Sequence, residues 1–285
     1  MISRQAPQDT DPLRLITLRN ATAEGADREA LRFTAFCADR LATRMNPAPG
    51  DKVLDVMAGT GALAMAAAQA VGPNGRVTAI DLAEGLLARL EAKISKFGLA
   101  NIDVHTMDAS HLDFRRDYFQ HTACSLGLDW LPDPGVAVRE WARVTRPGGS
   151  VNLAVFAPQA FQPLLGLLRD RIAPLAGVRG EPAPWEQLGG HEPLIALLRN
   201  AGLADVTVHE MQLGYHLRDP REWWEVVWNS ALRPLVEEVP DALRDRFRVE
   251  HLAEVAALAT ADGLWLDVPV LLARGHKPRF TEPTP

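Results

Sequence analysis

The feature that most constrains this chain is an apolar run that carries an acid and closes on a pair of glycines. Residues 53–61 read Val-Leu-Asp-Val-Met-Ala-Gly-Thr-Gly, and the alanine-rich stretch 62–70 follows directly. A short continuous apolar run fits a strand buried on both faces, the glycines permit a tight turn, and the alanines start a helix. Such a turn lets a ligand approach bare backbone, and the helix start offers it unpaired N–H groups. The segment implies a parallel α/β sheet with a site for a nucleotide-like group at the end of its first strand.

The rest of the chain supplies the sheet. Residues 1–26 are polar and read as an N-terminal arm. Residues 27–157 read as the cofactor-binding core. A helix over 27–45, stopped by Asn46-Pro47, precedes strands over 52–57, 76–81, 102–107, 121–127 and 150–156. Helices over 62–71, 83–97 and 135–145 alternate with them, and Arg146-Pro147-Gly148-Gly149 reads as a turn. Alternation of this kind requires crossover connections and a parallel sheet covered on both faces.

After Phe156 the pattern changes. Residues 158–190 are rich in Pro and Gly and read as a cap segment with one leucine-rich helix around 163–170. Residues 191–217 return to the core with a helix over 191–200 and a sixth strand over 206–217. Residues 218–261 read as a helical cap insert, opened by Asp219-Pro220-Arg221-Glu222: an N-cap acid, proline at the first helical position and Glu two further on. A second helix of the insert runs over about 241–258. Residues 262–277 hold the last core strand, 264–274, in which Pro269 requires a bulge or an unpaired position.

Composition narrows the partners. A net charge of −6 and a pI near 5.8 argue against a nucleic-acid surface. Two cysteines, Cys37 and Cys124, make no disulfide framework and fit a cytoplasmic protein. No apolar stretch is long enough for a membrane span, and the eight histidines show no metal-ligand spacing, so no metal is expected. The expected partner is a small-molecule acceptor, with a homodimer left open.

Two cofactors compete for the turn. Gly59-x-Gly61-x-x-Ala64 satisfies the dinucleotide fingerprint, and Asp81 lies 20 residues past Gly61, where a ribose-binding acid belongs. S-adenosylmethionine needs the same acid but has no pyrophosphate. Asp55, on the strand just before the turn, repels a pyrophosphate and can orient an ammonium. Asp108, in Thr106-Met107-Asp108-Ala109-Ser110, is placed to accept the adenine amino proton. With 53–61, 77–82, 106–110, 131–134 and 140–149 in this order, the chain resembles the class I S-adenosylmethionine-dependent methyltransferases. Within them it is most similar to the small-molecule branch that includes the ubiquinone and menaquinone C-methyltransferases.

The resemblance implies a Rossmann-like, seven-stranded, mostly parallel sheet with helices on both faces and a helical cap over the active site. It also implies a pocket. Asp55 orients the ammonium, and Gly59, Thr60 and Gly61 pack on the methionine part. Asp81 takes the ribose hydroxyls and Leu82 lies against the adenine. Asp108 and the Ala109 N–H hold the adenine edge, and Ser125 offers a carbonyl. Met57 stands where the family has Gly or Ala, Gln120 replaces the acid common before strand four, and Phe33 or Phe36 substitutes for an N-terminal tyrosine.

The acceptor is expected over strands four and five, with Trp130, Phe156 and Trp223 as pocket walls and Trp185 in the Pro-rich loop. An acceptor that must lose a proton needs a base, for which Asp129, His191 and His216 are the candidates. Methyl transfer to a small, partly apolar or aromatic molecule is the reading these residues favour. The alternatives are a non-methylating enzyme that uses the same cofactor for cyclisation, decarboxylation or other alkyl transfer, and a non-catalytic cofactor-binding protein.

Overall fold

The structure, a computed structural model, describes residues 12–176, 184–188 and 190–279. Five strands follow one another in the first half: β1 (Lys52–Val56), β2 (Arg76–Asp81), β3 (Ile102–Thr106), β4 (Phe119–Ser125) and β5 (Thr145–Phe156). Two longer strands, β6 (Ala204–Gln212) and β9 (Pro269–His276), complete a seven-stranded sheet of order β3-β2-β1-β4-β5-β9-β6. Strands β1 to β5 pair in parallel, while β9 runs antiparallel to both neighbours. A Rossmann-like, mostly parallel sheet is therefore present.

Chain order makes a cleft at one place. From β1 the chain moves outward through β2 to β3, then returns to lay β4 on the other side of β1. Crossovers on the two sides leave in opposite directions, so a crevice opens above the carboxyl ends of β1 and β4. Asp55 and Ser125 stand on those two strand ends.

Helices α3 (Ala62–Val71), α4 (Glu84–Phe97) and α5 (Pro134–Val144) form the crossovers. The capping of α5 shows why the sequence folds here. The Asp133 carboxylate accepts the Val136 N–H at 2.9 Å, Pro134 takes the first turn, and Val138, Trp141 and Val144 bury the inner stripe. Helix α2 (Phe33–Met45) covers the same face as α3, and α8 (His191–Asn200) lies beside α5.

Several expected elements are divided. Residues 1–26 are not simply an arm: α1 occupies Pro12–Thr22, and residues 1–11 lie outside the described set. The helix expected over 27–45 starts as a 3-10 turn at Glu29–Leu31 before α2. Arg146–Gly149 belongs to β5 as an excursion in the strand, because Phe119 pairs with Thr145 but His121 with Ser150. A Cβ on Gly149 would lie 2.4 Å from the Gln120 carbonyl oxygen, which fixes glycine there.

The expected strand over 206–217 is two, β6 and β7 (Tyr215–Leu217), and the strand over 264–274 is β8 (Leu264–Leu266) and β9. One side chain explains both breaks. Gln212 Oε1 accepts from Gly214 N at 2.7 Å and Val268 N at 3.0 Å, while its Nε2 donates to Asp267 at 2.7 Å. Both strands are thereby turned at the same level, and β7 pairs with β8 in a separate ribbon. Pro269 begins β9, after the break.

The cap is built from α6 (Leu164–Ala176), α7 (Pro184–Leu188), α9 (Pro220–Trp228), α10 (Arg233–Glu237) and α11 (Asp241–Ala256). Residues 177–183 and 189 of the cap segment lie outside the described set. The 218–261 insert holds three helices rather than two. Its start is capped as expected, with Asp219 accepting the Arg221 N–H at 2.7 Å, although Glu222 reaches back to the Arg218 N–H instead of to Asp219.

Candidate active site

The glycine turn is bent as its residues allow. Gly59 (φ +57°) and Gly61 (φ +83°) adopt left-handed backbone, and Met57 does so as a non-glycine at φ +56°. A Cβ on Gly61 would fall 2.1 Å from Leu90 Cδ1, so α4 packs directly on the turn. On Gly59 the nearest atom to such a Cβ is Arg19 Nη2 at 3.9 Å, which leaves backbone open toward the cleft. Leu126 (φ +55°) and Phe161 (φ +67°) share this conformation, and with Met57 they line one cavity. Strained backbone gathered at one cavity is characteristic of a functional site.

Asp81 ends β2 next to the end of β1 and is 3% exposed. Its Oδ2 accepts the Gly59 N–H at 2.8 Å and its Oδ1 the Ala83 N–H at 2.9 Å. The carboxylate thus braces the glycine turn and the start of α4 at once. A third donor reaches the same Oδ2: Arg19 Nη2, from α1, at 2.6 Å. The Arg19 guanidinium also lies 5.7 Å over the Trp130 ring, and its Nε has no hydrogen-bond partner among the described residues.

The cavity beside this pair is about 180 Å³ in volume and is lined by Asp55 and Asp129 among others. Burial pushes the Asp55 carboxyl well above the usual carboxylate range, against the Ala64 N–H and with the neighbouring Asp81 adding to the rise. Its Oδ2 has no partner among the described residues. Asp129 is likewise pushed up to about 6 by burial, opposed by a backbone hydrogen bond and by the charge of Arg19, and its Oδ1 is unpartnered. Orphaned acceptors in a dry pocket carry a desolvation cost that a cationic or proton-donating ligand would remove.

Part of the cavity lining is aromatic. Phe33, Phe156, Phe161 and Trp185 all line it. Phe156 and Phe161 meet edge-on at 4.9 Å, and Trp185 meets them at 5.3 and 5.7 Å. Trp185 is 1% exposed, and its Nε1 is a buried donor without a partner among the described residues. Such a box suits a flat, largely apolar molecule.

Comparison with known proteins identifies the scaffold. Residues 53–149 match a methyltransferase-domain family model. Over 265 residues, 88% of this chain and 94% of its relative, the sequence is 31% identical to nocamycin O-methyltransferase of Saccharothrix syringae. The chain belongs to the class I S-adenosylmethionine-dependent methyltransferases. It is also 34% identical to the demethylmenaquinone methyltransferase of Geobacillus kaustophilus over 183 residues, 60% of this chain and 78% of that one. The crystal structure of the YcgJ protein of Bacillus subtilis shares the fold, with a TM-score of 0.58 at 19% identity over 85% of this chain and 99% of that one. The protein is thus an enzyme that uses S-adenosylmethionine to methylate a small molecule.

The residues of this methyltransferase fit the cofactor where the geometry can be tested. A buried unpaired carboxylate oxygen on Asp55 matches an ammonium, and the open backbone at Gly59 matches a close approach. Of the residues expected to bind the cofactor, Asp55, Gly59, Thr60 and Ser125 line the cavity. Asp81 stands behind Arg19, while Gly61 faces α4. Leu82, Asp108 and Ala109 are not among the lining residues. Asp108 caps its own loop, accepting Ser110 N at 2.7 Å, and the Ala109 carbonyl accepts the Trp141 Nε1–H at 2.7 Å.

The acceptor-side residues divide. Trp130, Phe156 and Asp129 line the cavity. Trp223 does not: it is fully buried in the cap, donates to His251 Nε2 at 2.9 Å and sits behind Phe161 at 6.4 Å. Neither His191, exposed on the first turn of α8, nor His216, exposed on β7, lines the cavity. The alternation of a strand turns the His216 ring outward, against Trp265 at 5.0 Å. Phe33 lines the pocket, whereas Phe36 is 44% exposed.

Arg19 and Phe161 are the site residues that the sequence does not betray. No motif marks either. A cation in a polar arm and a phenylalanine in a Pro-rich stretch both read as ordinary residues.

Met57 gives a direct check on the turn. Met57→Gly removes a side chain from the cavity wall and a left-handed non-glycine backbone, which relieves about 1 kcal/mol. Added unfolded-state freedom offsets a similar amount. Cofactor affinity is expected to hold or improve by a few-fold, with thermal stability nearly unchanged. Calorimetric titration of the variant decides it.

Proposed function

We propose that the crevice holds S-adenosylmethionine across the ends of β1 and β2, and the acceptor in the aromatic part under α6, α7 and α9. The observation that carries this reading is that the orphaned carboxylate oxygens of Asp55 and Asp129 line the same cavity as the aromatic rings of Phe33, Phe156, Phe161 and Trp185. When bound, S-adenosylmethionine supplies an electrophilic methyl group on a sulfonium and leaves as S-adenosylhomocysteine.

The chain's own residues do the rest. Asp55 pairs with the ammonium and regains its charge in doing so. Asp81, held by two backbone N–H groups, offers its oxygens to the ribose hydroxyls. Leu82 and Asp108, just beyond the ends of β2 and β3, bound the adenine side, with the Ala109 N–H and the carbonyl end of β4 at Ser125 completing the rim. The aromatic box positions an acceptor ring and excludes water, which favours a reaction in which a cation becomes neutral. Asp129 accepts the acceptor's proton. A phenol or enol is therefore the acceptor class that the site suits.

Residues 27–157 then serve as the cofactor core, and 158–190 with 218–261 as the cap that encloses the acceptor. The acidic net charge supports a small-molecule acceptor over nucleic acid. Cys37 and Cys124, both buried and unpaired, support a cytoplasmic setting. Among the described residues no helix is long and apolar enough to cross a membrane.

The test is Asp81→Ala. Loss of charge-assisted hydrogen bonds to the ribose weakens cofactor binding by roughly 1–3 kcal/mol. Calorimetric titration with S-adenosylmethionine measures it, made in an Arg19→Gln background so that loss of the Arg19–Asp81 pair does not offset the change. Unaltered affinity there would remove Asp81 from the site.

A further inference from the structure

The ribose acid of this site is already taken by the chain itself. Arg19 Nη2 lies 2.6 Å from Asp81 Oδ2, with Arg19 13% and Asp81 3% exposed, so the pair is largely shielded from water. The same guanidinium lines the cavity and sits over Trp130. Ligand clefts usually span roughly 300–1,000 Å³, while the space left here is about 180 Å³. A ribose on Asp81 and a sulfonium beside Asp55 cannot share that space with a guanidinium.

Among the described residues, the segment carrying Arg19 is held at the glycine turn by polar contacts. Asn20 Oδ1 accepts the Gly85 N–H at 2.8 Å, giving α4 the cap that Ala83 lacks. Asp27 accepts from Thr60 Oγ1 at 2.7 Å and from Lys93 Nζ at 2.6 Å. Ala23 and Ala26 of the segment also pack on Ala83 and Leu86 in a small separate apolar cluster. Polar contacts re-form with water when such a segment lifts, so release is inexpensive next to unpacking a core.

We propose that α1 is a gate that competes with the cofactor: Arg19 holds Asp81 while the site is closed, and must leave before S-adenosylmethionine or S-adenosylhomocysteine can bind. This rests on Asp81 being the ribose acid. The gate lowers the apparent affinity by the fraction of molecules that stand open. Because Arg19 also screens Asp129, its departure ties loading of the cofactor to the state of that carboxylate.

The experiment titrates full-length wild type and Arg19→Gln with S-adenosylmethionine and with S-adenosylhomocysteine, and follows hydrogen exchange of residues 12–22. Arg19→Gln is expected to tighten both ligands by about 3- to 10-fold, and S-adenosylhomocysteine to speed exchange in α1 of the wild type. Weaker or unchanged binding by the variant, or slower exchange of α1 on loading, would overturn the gate, and weaker binding together with slower exchange would show a clamp that closes on the cofactor. Adding Asp81→Ala to the Arg19→Gln background separates the two ideas. A loss of affinity there keeps Asp81 as the ribose acid whatever Arg19 does, and no loss removes the site assignment and the gate with it.

Discussion

Asp129→Asn is expected to slow methyl transfer by ~10²–10⁴-fold, the range of a positioned general base, while leaving S-adenosylmethionine affinity nearly unchanged. Amide for carboxyl preserves shape, so the cavity keeps its packing and only the proton acceptor is lost. Asp129 lies on the cavity wall just past β4, its Oδ1 without a partner among the described residues. Burial pushes it up to about 6. A base acts when unprotonated, so in the wild type kcat/KM should rise with pH through about 6 and then level. The variant should lack that rise. Release of S-adenosylhomocysteine from a phenolic or enolic acceptor, followed against pH in both proteins, makes the comparison. The same rise in the variant would show that another group, or none, takes the proton.

The charges in the crevice follow one rule. Asp55, Asp81 and Asp129 surround a space whose cation is Arg19 when α1 is docked. Two of the three are raised by burial, so each gains from a positive partner. A sulfonium and an ammonium provide such partners, whereas a pyrophosphate would add repulsion to every one. The electrostatics of the walls thus favour S-adenosylmethionine over a dinucleotide at a turn whose glycines would admit either.

What the sequence revealed divides along a physical line. The core strands and crossover helices are set by local burial: α3, β2 and α8 match their expected bounds because apolar runs end at glycine, asparagine or aspartate. The placement of Asp55 and Asp129 on the cavity, and of Asp81 beside the glycine turn, was legible for a related reason. An acid at a strand end or just past it, in an apolar neighbourhood, has few structural explanations. The breaks at 213–214 and 267–268 were not legible, since both depend on Gln212 bridging two segments far apart in sequence. Nor were the placements of His191, His216 and Trp223: His191 faces out from the first turn of α8, strand alternation turns His216 outward on β7, and Trp223 is buried in the cap against His251. Arg19 illustrates the limit best: its partner lies 62 positions away and no local pattern connects them.

That cap should come apart in mild acid. His251, on α11, is fully buried; Trp223 Nε1 donates to its Nε2 at 2.9 Å, which places the ring proton on Nδ1. Phe247 stacks on it at 5.9 Å. Burial, opposed by Glu254 and aided by Arg171, lowers it from the ordinary 6.5 to about 4. The unfolded chain therefore takes up a proton first as pH falls. The contribution of His251 to stability is complete above about 6.5 and is lost progressively down to about 4, up to about 3 kcal/mol in all. Asp55 and Asp129, raised in the folded state, act in the opposite sense over part of that window, so the test is a difference between proteins. His251→Gln keeps an acceptor for Trp223 and removes the titration. Thermal unfolding from pH 7 to 4 should fall steeply in the wild type and more gently in the variant, and parallel curves would show that His251 does not set the acid limit. Because Trp223 backs Phe161 in the acceptor box at 6.4 Å, loss of acceptor binding should track the same acid transition.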